Sequence, residues 1–205
     1  MTDLLVHVVK ILVVFHVVLI VVAYMTLAER KVSAWMQDRV GPNRVGFRGL
    51  LQPIADGLKF IFKEEMVPGH VDKLIYTLAP IFVMAPAFLG MAVIPFGREL
   101  HLPFLDAPVP MVIADLDVGI LFVLAISSLS VYGIVLGGWA SNSKYSMMGG
   151  IRSSAQMISY EVCMGLSLIG LFLLDGSLNL TTVVDKQATG VWHMFDQPLP
   201  FVIFL

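Results

Sequence analysis

Four stretches of this chain are too long and too apolar to be shielded inside a water-surrounded core: residues 4–27, 74–96, 111–139 and 155–174. A hydrocarbon layer about 30 Å thick takes about 20 apolar residues per helical crossing. Inside it, only helices and closed barrels can satisfy every backbone N–H and C=O group. Runs of this length therefore predict transmembrane helices. Composition agrees: 58% of the 205 residues are hydrophobic and 14% are charged, where soluble domains carry about 25% charge. The predicted fold class is all-α, a polytopic transmembrane helix bundle. The first run exceeds the apolar core of a signal peptide and no small-residue cleavage site follows it, so it reads as a retained span. Pro80, Pro86 and Pro95 fall in the second run and predict kinks. From Pro198 to Leu205 the chain turns apolar again, which reads as the start of a fifth helix. Residues 1–205 are thus expected to form one membrane domain, the amino-terminal part of a longer protein.

Basic residues set the expected orientation. The segment 28–73 carries Arg30, Lys31, Arg39, Arg44, Arg48, Lys59, Lys63 and Lys73, over half of the 13 in the chain. The segment 140–154 adds Lys144 and Arg152, and only Lys10, Arg98 and Lys186 remain for the other side. The positive-inside rule then places both segments as cytoplasmic loops, or matrix loops in an organelle. A net charge of −2 implies no attraction to nucleic acid. A single cysteine, Cys163, excludes an internal disulfide and any iron–sulfur cluster held by this chain alone. No Gly-x-Gly-x-x-Gly fingerprint, Walker loop or metal-ligand cluster is present, so neither nucleotide nor redox metal is expected on this chain. No internal repeat is visible.

The first polar loop is unusually rich for a connection between spans. Gly41-Pro42-Asn43 is a turn signal, flanked by Arg39, Arg44 and Arg48. Residue types alone favour a topology signal with anionic-lipid contact over a specific site. Residues 50–63 have helical periodicity: Leu50, Leu51, Ile54, Leu58, Ile61 and Phe62 share a stripe, and Gln52, Asp56, Lys59 and Lys63 fall largely opposite. Pro53 suits a first helical turn. This amphipathic helix would lie in the headgroup plane or cap a cavity between spans. Asp56, Glu64 and Glu65 make its polar face mixed in sign, which favours docking against protein over a simple lipid anchor.

Glu161 is the sharper signal. It lies inside the fourth span, six residues past Ala155, about 9 Å along a helix axis. A carboxylate among hydrocarbon costs several kcal/mol or changes its protonation state, so it is expected to face a bundle interior, a watery cavity or a cation. Arg152, nine positions earlier, falls on the opposite helical face and is a poor partner. The face of Glu161 includes Ser154, Ile158, Gly165 and Leu168, and Gly165 would admit a close neighbour. The alternative is a glutamate near the interface that reaches water. Asp115 and Asp117 are read as caps at the start of the third span, and Ser127, Ser128, Ser130 and Tyr132 as interhelical hydrogen-bond partners. His7 and His16 face apart and share no metal; His70, His101 and His193 are scattered in loops. The 12 methionines read as core and lipid-facing filler.

Two motifs, in order, carry a family resemblance. The first is Glu29-Arg30-Lys31, Arg39-x-Gly41-Pro42-Asn43, Leu50-Leu51-Gln52-Pro53-x-Ala55-Asp56 and Lys63-Glu64. The second is Gly138-Trp139-Ala140-Ser141-Asn142-Ser143-Lys144-Tyr145, then Arg152, Gln156 and Ile158-Ser159-Tyr160-Glu161-Val162. Over its whole length the chain resembles the NADH dehydrogenase subunit 1 family, a membrane component of proton-pumping NADH:quinone oxidoreductase (respiratory complex I). The resemblance implies a membrane subunit at the elbow between the redox and membrane arms, forming part of the quinone chamber and coupling quinone reduction to proton translocation. By matching position it implies Arg39, Asp56 and Glu64 near the chamber, and Arg152 and Glu161 in a charged path within the membrane. Quinone (ubiquinone among them) would be the substrate, and FMN and iron–sulfur clusters would sit on partner subunits. The partners would be the quinone-site and iron–sulfur peripheral subunits and small membrane subunits, in a bacterial cell inner membrane rather than a mitochondrial one. The family continues with a further acidic, proline-bearing loop and more helices that are not in this sequence. Two other readings stand beside this one: the membrane anchor of a related hydrogenase or formate hydrogenlyase, and, from another class, a cation-coupled secondary transporter.

Overall fold

The computed structural model describes residues 2–101 and 108–205. They divide into two compact units, Met1–Met66 and Val67–Leu205, each described separately.

In the first unit, α1 runs Thr2–Trp35. Its 34 residues would span about 50 Å at 1.5 Å per residue, well over a bilayer's hydrocarbon thickness, so the expected span 4–27 continues as helix through Glu29-Arg30-Lys31. Its apolar residues surround the axis and are exposed on every side, the mark of a helix solvated by lipid. After α1 the chain reverses through Asp38, at φ 52°, and Gly46 and Gly49, at φ 70° and 81°. Gly49 has no alternative: a Cβ there would collide with the Pro42 carbonyl. A 3₁₀ turn at Phe47–Gly49 leads into α2, Gln52–Phe62, with Pro53 in its first turn.

In the second unit, Asp72 caps α3 (Lys73–Gly90), accepting from the backbone N–H of Leu74 and Ile75 at 3.1 and 3.2 Å. Pro80 and Pro86 lie inside α3. The helix tightens to a 3₁₀ turn at Met91–Val93, and Pro95 falls beyond it, because the residue before a proline is driven out of helical geometry. A two-residue ladder follows, β1 (Glu99–Leu100) antiparallel to β2 (Val109–Pro110), with Glu99 opposite Pro110 and Leu100 opposite Val109. It is a small departure from an all-helical reading. Helix α4 spans Gly119–Ala140 and α5 Lys144–Asp175. Then come α6 (Leu180–Thr189), α7 (His193–Asp196) and α8 (Pro198–Phe204).

Two boundaries differ from the sequence reading. The third helix starts at Gly119, not Met111, because residues 111–118 form an irregular entry after β2. The fourth starts at Lys144, not Ala155, so the expected loop 140–154 is mostly helix. Gly149-Gly150 looks like a break, yet Gly150 serves packing. A Cβ on it would stand 3.2 Å from the Ile134 carbonyl oxygen and 3.5 Å from the Gly138 Cα. The turn between α4 and α5 is only Ser141–Ser143, with Asn142 at φ 48°.

Helix α3 packs on α4, α4 on α5, and α8 on α5. The seams are built of small residues: Ala79 and Pro86 on α3, Gly133, Gly138 and Ala140 on α4 are all buried. With lipid as solvent, helices associate by close backbone approach rather than by burying large apolar groups. Among the described residues, four helices are long and apolar enough to cross a membrane, Leu4–Trp35, Lys73–Val93, Gly119–Ala140 and Lys144–Asp175, and the chain is a multi-pass membrane protein.

Gly133 gives the sharpest test of this packing. A Cβ on it would meet Val83 Cγ2 at 2.6 Å and the Ala79 carbonyl oxygen at 2.7 Å. Gly133→Leu is expected to cost about 1–3 kcal/mol by overpacking, read as a lowered Tm in detergent. Gly149→Ala, where nothing lies within 4 Å of the new carbon, is expected to leave Tm unchanged or raise it slightly.

Candidate functional site: an intramembrane acid and a charged collar

Glu161 is the eighteenth of the 32 residues of α5. The longer helix therefore puts it near the middle of α5, about 26 Å from the helix start, with the polar turns that carry Lys144 and Arg152 before it. Its side chain is turned toward α4. Ser127 Oγ donates to Glu161 Oε1 at 2.5 Å and Ser128 Oγ to the same oxygen at 3.0 Å. Charge-assisted donors of this kind are what a carboxylate removed from water requires. Gly165, one turn further along α5, lets Leu124 of α4 come within 3.9 Å of where a Cβ would stand. Glu161 borders a cavity of about 530 Å³ shared with Ser127, Ser130, Met157, Tyr160, Cys163, Met164 and residues 203–205 of the α8 end.

Of the hydroxyls expected to bond across helices, Ser127 and Ser128 do. Ser130 Oγ instead donates to the Ser127 carbonyl within its own helix, at 2.6 Å, and Tyr132 is exposed. Arg152 is exposed and makes no ion pair with Glu161, in keeping with their angular separation. Asp115 is not a cap of α4, whose N-terminus has no side-chain cap. It accepts from Asn179 Nδ2 at 2.7 Å and Thr181 Oγ1 at 3.1 Å, tying the entry of α4 to the start of α6. Asp117 borders an open polar pocket beside Asn179 and Thr182.

A buried acid elsewhere on α5 escapes sequence reasoning. Asp175, the last residue of α5, has a side chain only 4% exposed. His193 Nε2 lies 3.0 Å from its Oδ2 and Lys186 Nζ 3.9 Å from its Oδ1. His193 is therefore not a stray loop residue but an anchor of α7. Nearby, Gln197 Nε2 donates to the Gly170 carbonyl at 2.8 Å, seating α8 on α5. The only signal in the sequence is a carboxylate immediately after an apolar run, which usually marks a helix end in water.

In the first unit the collar forms around α2. Arg30 Nη1 of α1 donates to Asp56 Oδ2 at 2.6 Å, and Gln52 Nε2 to Asp56 Oδ1 at 3.0 Å. Lys31 Nζ reaches the Arg48 carbonyl at 2.5 Å. The polar side of α2 is thus the side held to α1, while Ile54, Leu58 and Ile61 of the stripe point outward, half or more exposed. Arg39 donates to Gln37 Oε1, and Glu64 lies exposed beyond the end of α2. Neither residue enters an ion pair among the described residues. No group of three potential metal ligands occurs among the described residues.

Asp56 gives this collar a pH dependence. The hydrogen bond from Arg30, aided by Gln52 and by the positive fields of Arg30 and Lys59, holds its carboxyl below the usual carboxylate range, against a smaller opposing effect of desolvation. A carboxyl depressed in the folded state stabilises above its unfolded pKa, about 4, and that contribution is lost as pH falls through the folded value. A spin label at position 61 in the full chain in lipid nanodiscs is expected to stay restrained at neutral pH and loosen in acid. Asp56→Asn should be looser at neutral pH and lose the acid response; restraint unchanged in that variant would refute the role given to the pair.

A family model described as NADH dehydrogenase matches residues 9–205. A subunit of NADH-quinone oxidoreductase from Geobacter sulfurreducens is 52% identical over 204 residues, covering 95% of this chain and 59% of that protein. The same-named subunit of Leptospira biflexa is 52% identical over 202 residues, covering 96% and 56%, and that of Thermomicrobium roseum 48% over 202 residues, covering 94% and 59%. The chain spans somewhat under two thirds of the length of these curated relatives. With a match across nearly all of its residues, the chain belongs to the NADH dehydrogenase family of membrane proteins, whose relatives are named as a subunit of NADH-quinone oxidoreductase.

Proposed function

We propose that this chain is a membrane subunit of a proton-translocating NADH:quinone oxidoreductase, in a bacterial inner membrane, that forms part of the quinone chamber and couples quinone reduction to proton movement. One observation carries the coupling role: a carboxylate at the middle of a membrane helix, held by two hydroxyls beside a cavity. An intramembrane acid is costly and is retained where its charge is used. The names of the relatives favour this reading over a hydrogenase anchor or a secondary transporter.

In this reading Arg39, Asp56 and Glu64 belong to the quinone-facing collar, with Asp56 clamped by Arg30 and the other two placed to meet a partner subunit or the quinone. Arg152 and Glu161 belong to the charged path. Flavin and iron–sulfur partners supply the electrons; with its single cysteine this chain supplies positioning and proton binding. Glu161 takes up or releases a proton as charge changes nearby.

Glu161→Gln in the assembled complex keeps an acceptor for both serines but removes the titrating group. Quinone-coupled NADH oxidation and proton pumping are expected to fall about tenfold or more, while NADH oxidation by an artificial acceptor at the flavin stays normal. Normal turnover with an unchanged proton-to-electron ratio would overturn the coupling role.

A further inference from the structure

Ser127 and Ser128 each face two acceptors with one proton. Ser127 Oγ lies 2.9 Å from the Leu124 carbonyl oxygen and 2.5 Å from Glu161 Oε1; Ser128 Oγ lies 2.9 Å from the same carbonyl and 3.0 Å from the same carboxyl oxygen. A serine hydroxyl has one donor and can rotate to suit. It cannot donate to both oxygens at once. We propose that Ser127 and Ser128 form a two-position hydroxyl switch that seats Glu161 in the same place in its charged and its neutral state. The proposal rests on the reading above, in which Glu161 changes charge during turnover.

With Glu161 ionised, both hydroxyls point to Oε1, and the Leu124 carbonyl keeps its helical bond from the Ser128 N–H. When a proton arrives from the cavity on the other oxygen, Oε2, the carboxyl turns about its terminal torsion so that the new O–H donates to Ser127 Oγ, and the Ser127 hydroxyl rotates back to the Leu124 carbonyl. One O–H bond forms on the carboxyl with the incoming proton; in the serines no bond breaks and only torsions change. Neither state strands a donor or a charge in the helix interior, where an unpaired group is expensive. Glu161 Oε2 makes no hydrogen bond among the described residues, so the second oxygen is left for exchange with the cavity. The ionisable groups around that cavity are Tyr160 and Cys163, on α5 itself; α4 contributes serines and the α8 end apolar side chains. Among the described residues, the hydroxyls are the donors that meet the charge. These serines are positioning residues: they act through Glu161.

The test uses the assembled complex in membranes. Infrared difference spectra would be recorded on pH change for wild type, Ser127→Ala, Ser128→Ala, the double alanine variant and Ser127→Thr. The Glu161 carboxyl band is identified by its loss in Glu161→Gln. The band is expected to move in each alanine variant, to move furthest in the double variant, and to return toward wild type with threonine. Quinone-coupled turnover is expected to fall about threefold in the single variants and about tenfold in the double. Flavin-site NADH oxidation reports assembly; if the double variant fails to assemble, the singles and the threonine variant decide. A carboxyl band at one frequency in all variants, or a threonine variant that behaves like alanine, would overturn the switch. The two proposals separate cleanly. Lost coupling in Glu161→Gln with an immobile band leaves the coupling role and removes the switch. Retained coupling with a moving band leaves the switch and removes the coupling role.

Discussion

The contact between α4 and α5 is the constraint on which the second unit turns. Water is absent from a bilayer's core, so large apolar side chains gain little by meeting one another, and helices approach through small residues and shared hydrogen bonds. Gly138 and Gly150 supply the approach near the turn, backbone against backbone. Ser127 and Glu161 supply the hydrogen bond further in. The same contact that holds the hairpin also solvates the carboxylate of α5, so packing and chemistry share one seam.

Helix α2 shows the same physics with its faces reversed. In a soluble protein the apolar stripe of an amphipathic helix turns inward and the charges meet water. Here Asp56 and Gln52 are drawn to Arg30 at the foot of α1, and Ile54, Leu58 and Ile61 face outward. A guanidinium at the end of a membrane helix gains more from a carboxylate partner than the stripe gains from turning inward, because lipid or a partner protein can receive an apolar face. Membrane spans and surface helix thus follow one rule: polar groups find each other, and what faces outward is apolar.

Much of this is legible in the residues. Run length and hydropathy identify the helices, since the need to close backbone hydrogen bonds in lipid leaves little choice of structure. Periodicity places α2, and Pro53 its first turn. Hydropathy misleads over the start of α5 because Lys144 and Arg152 make its first turns polar, and an apolar run marks where a helix meets lipid, not where it begins. Asp175 and His193 do not suggest a pair because 17 residues and a short helix, α6, separate them. Asp115 has the position of a cap, yet its partners lie 64 and 66 residues away.

The serines show where the boundary lies. With a three-residue turn granted, the hairpin register follows: Ser127 stands eleven residues before Gly138, and Glu161 eleven after Gly150. The turn length itself is hidden by the polar first turns of α5. Residue order alone dictates that this chain enters a membrane, that an acid falls within an apolar run, and that hydroxyls are on hand to meet it, because these follow from solvation and from one-dimensional spacing. Which hydroxyls reach the acid, on which oxygen, and which acid pairs with which base are settled only when the helices pack, because contact across a helix pair depends on register and approach distance, and neither is carried by any single helix.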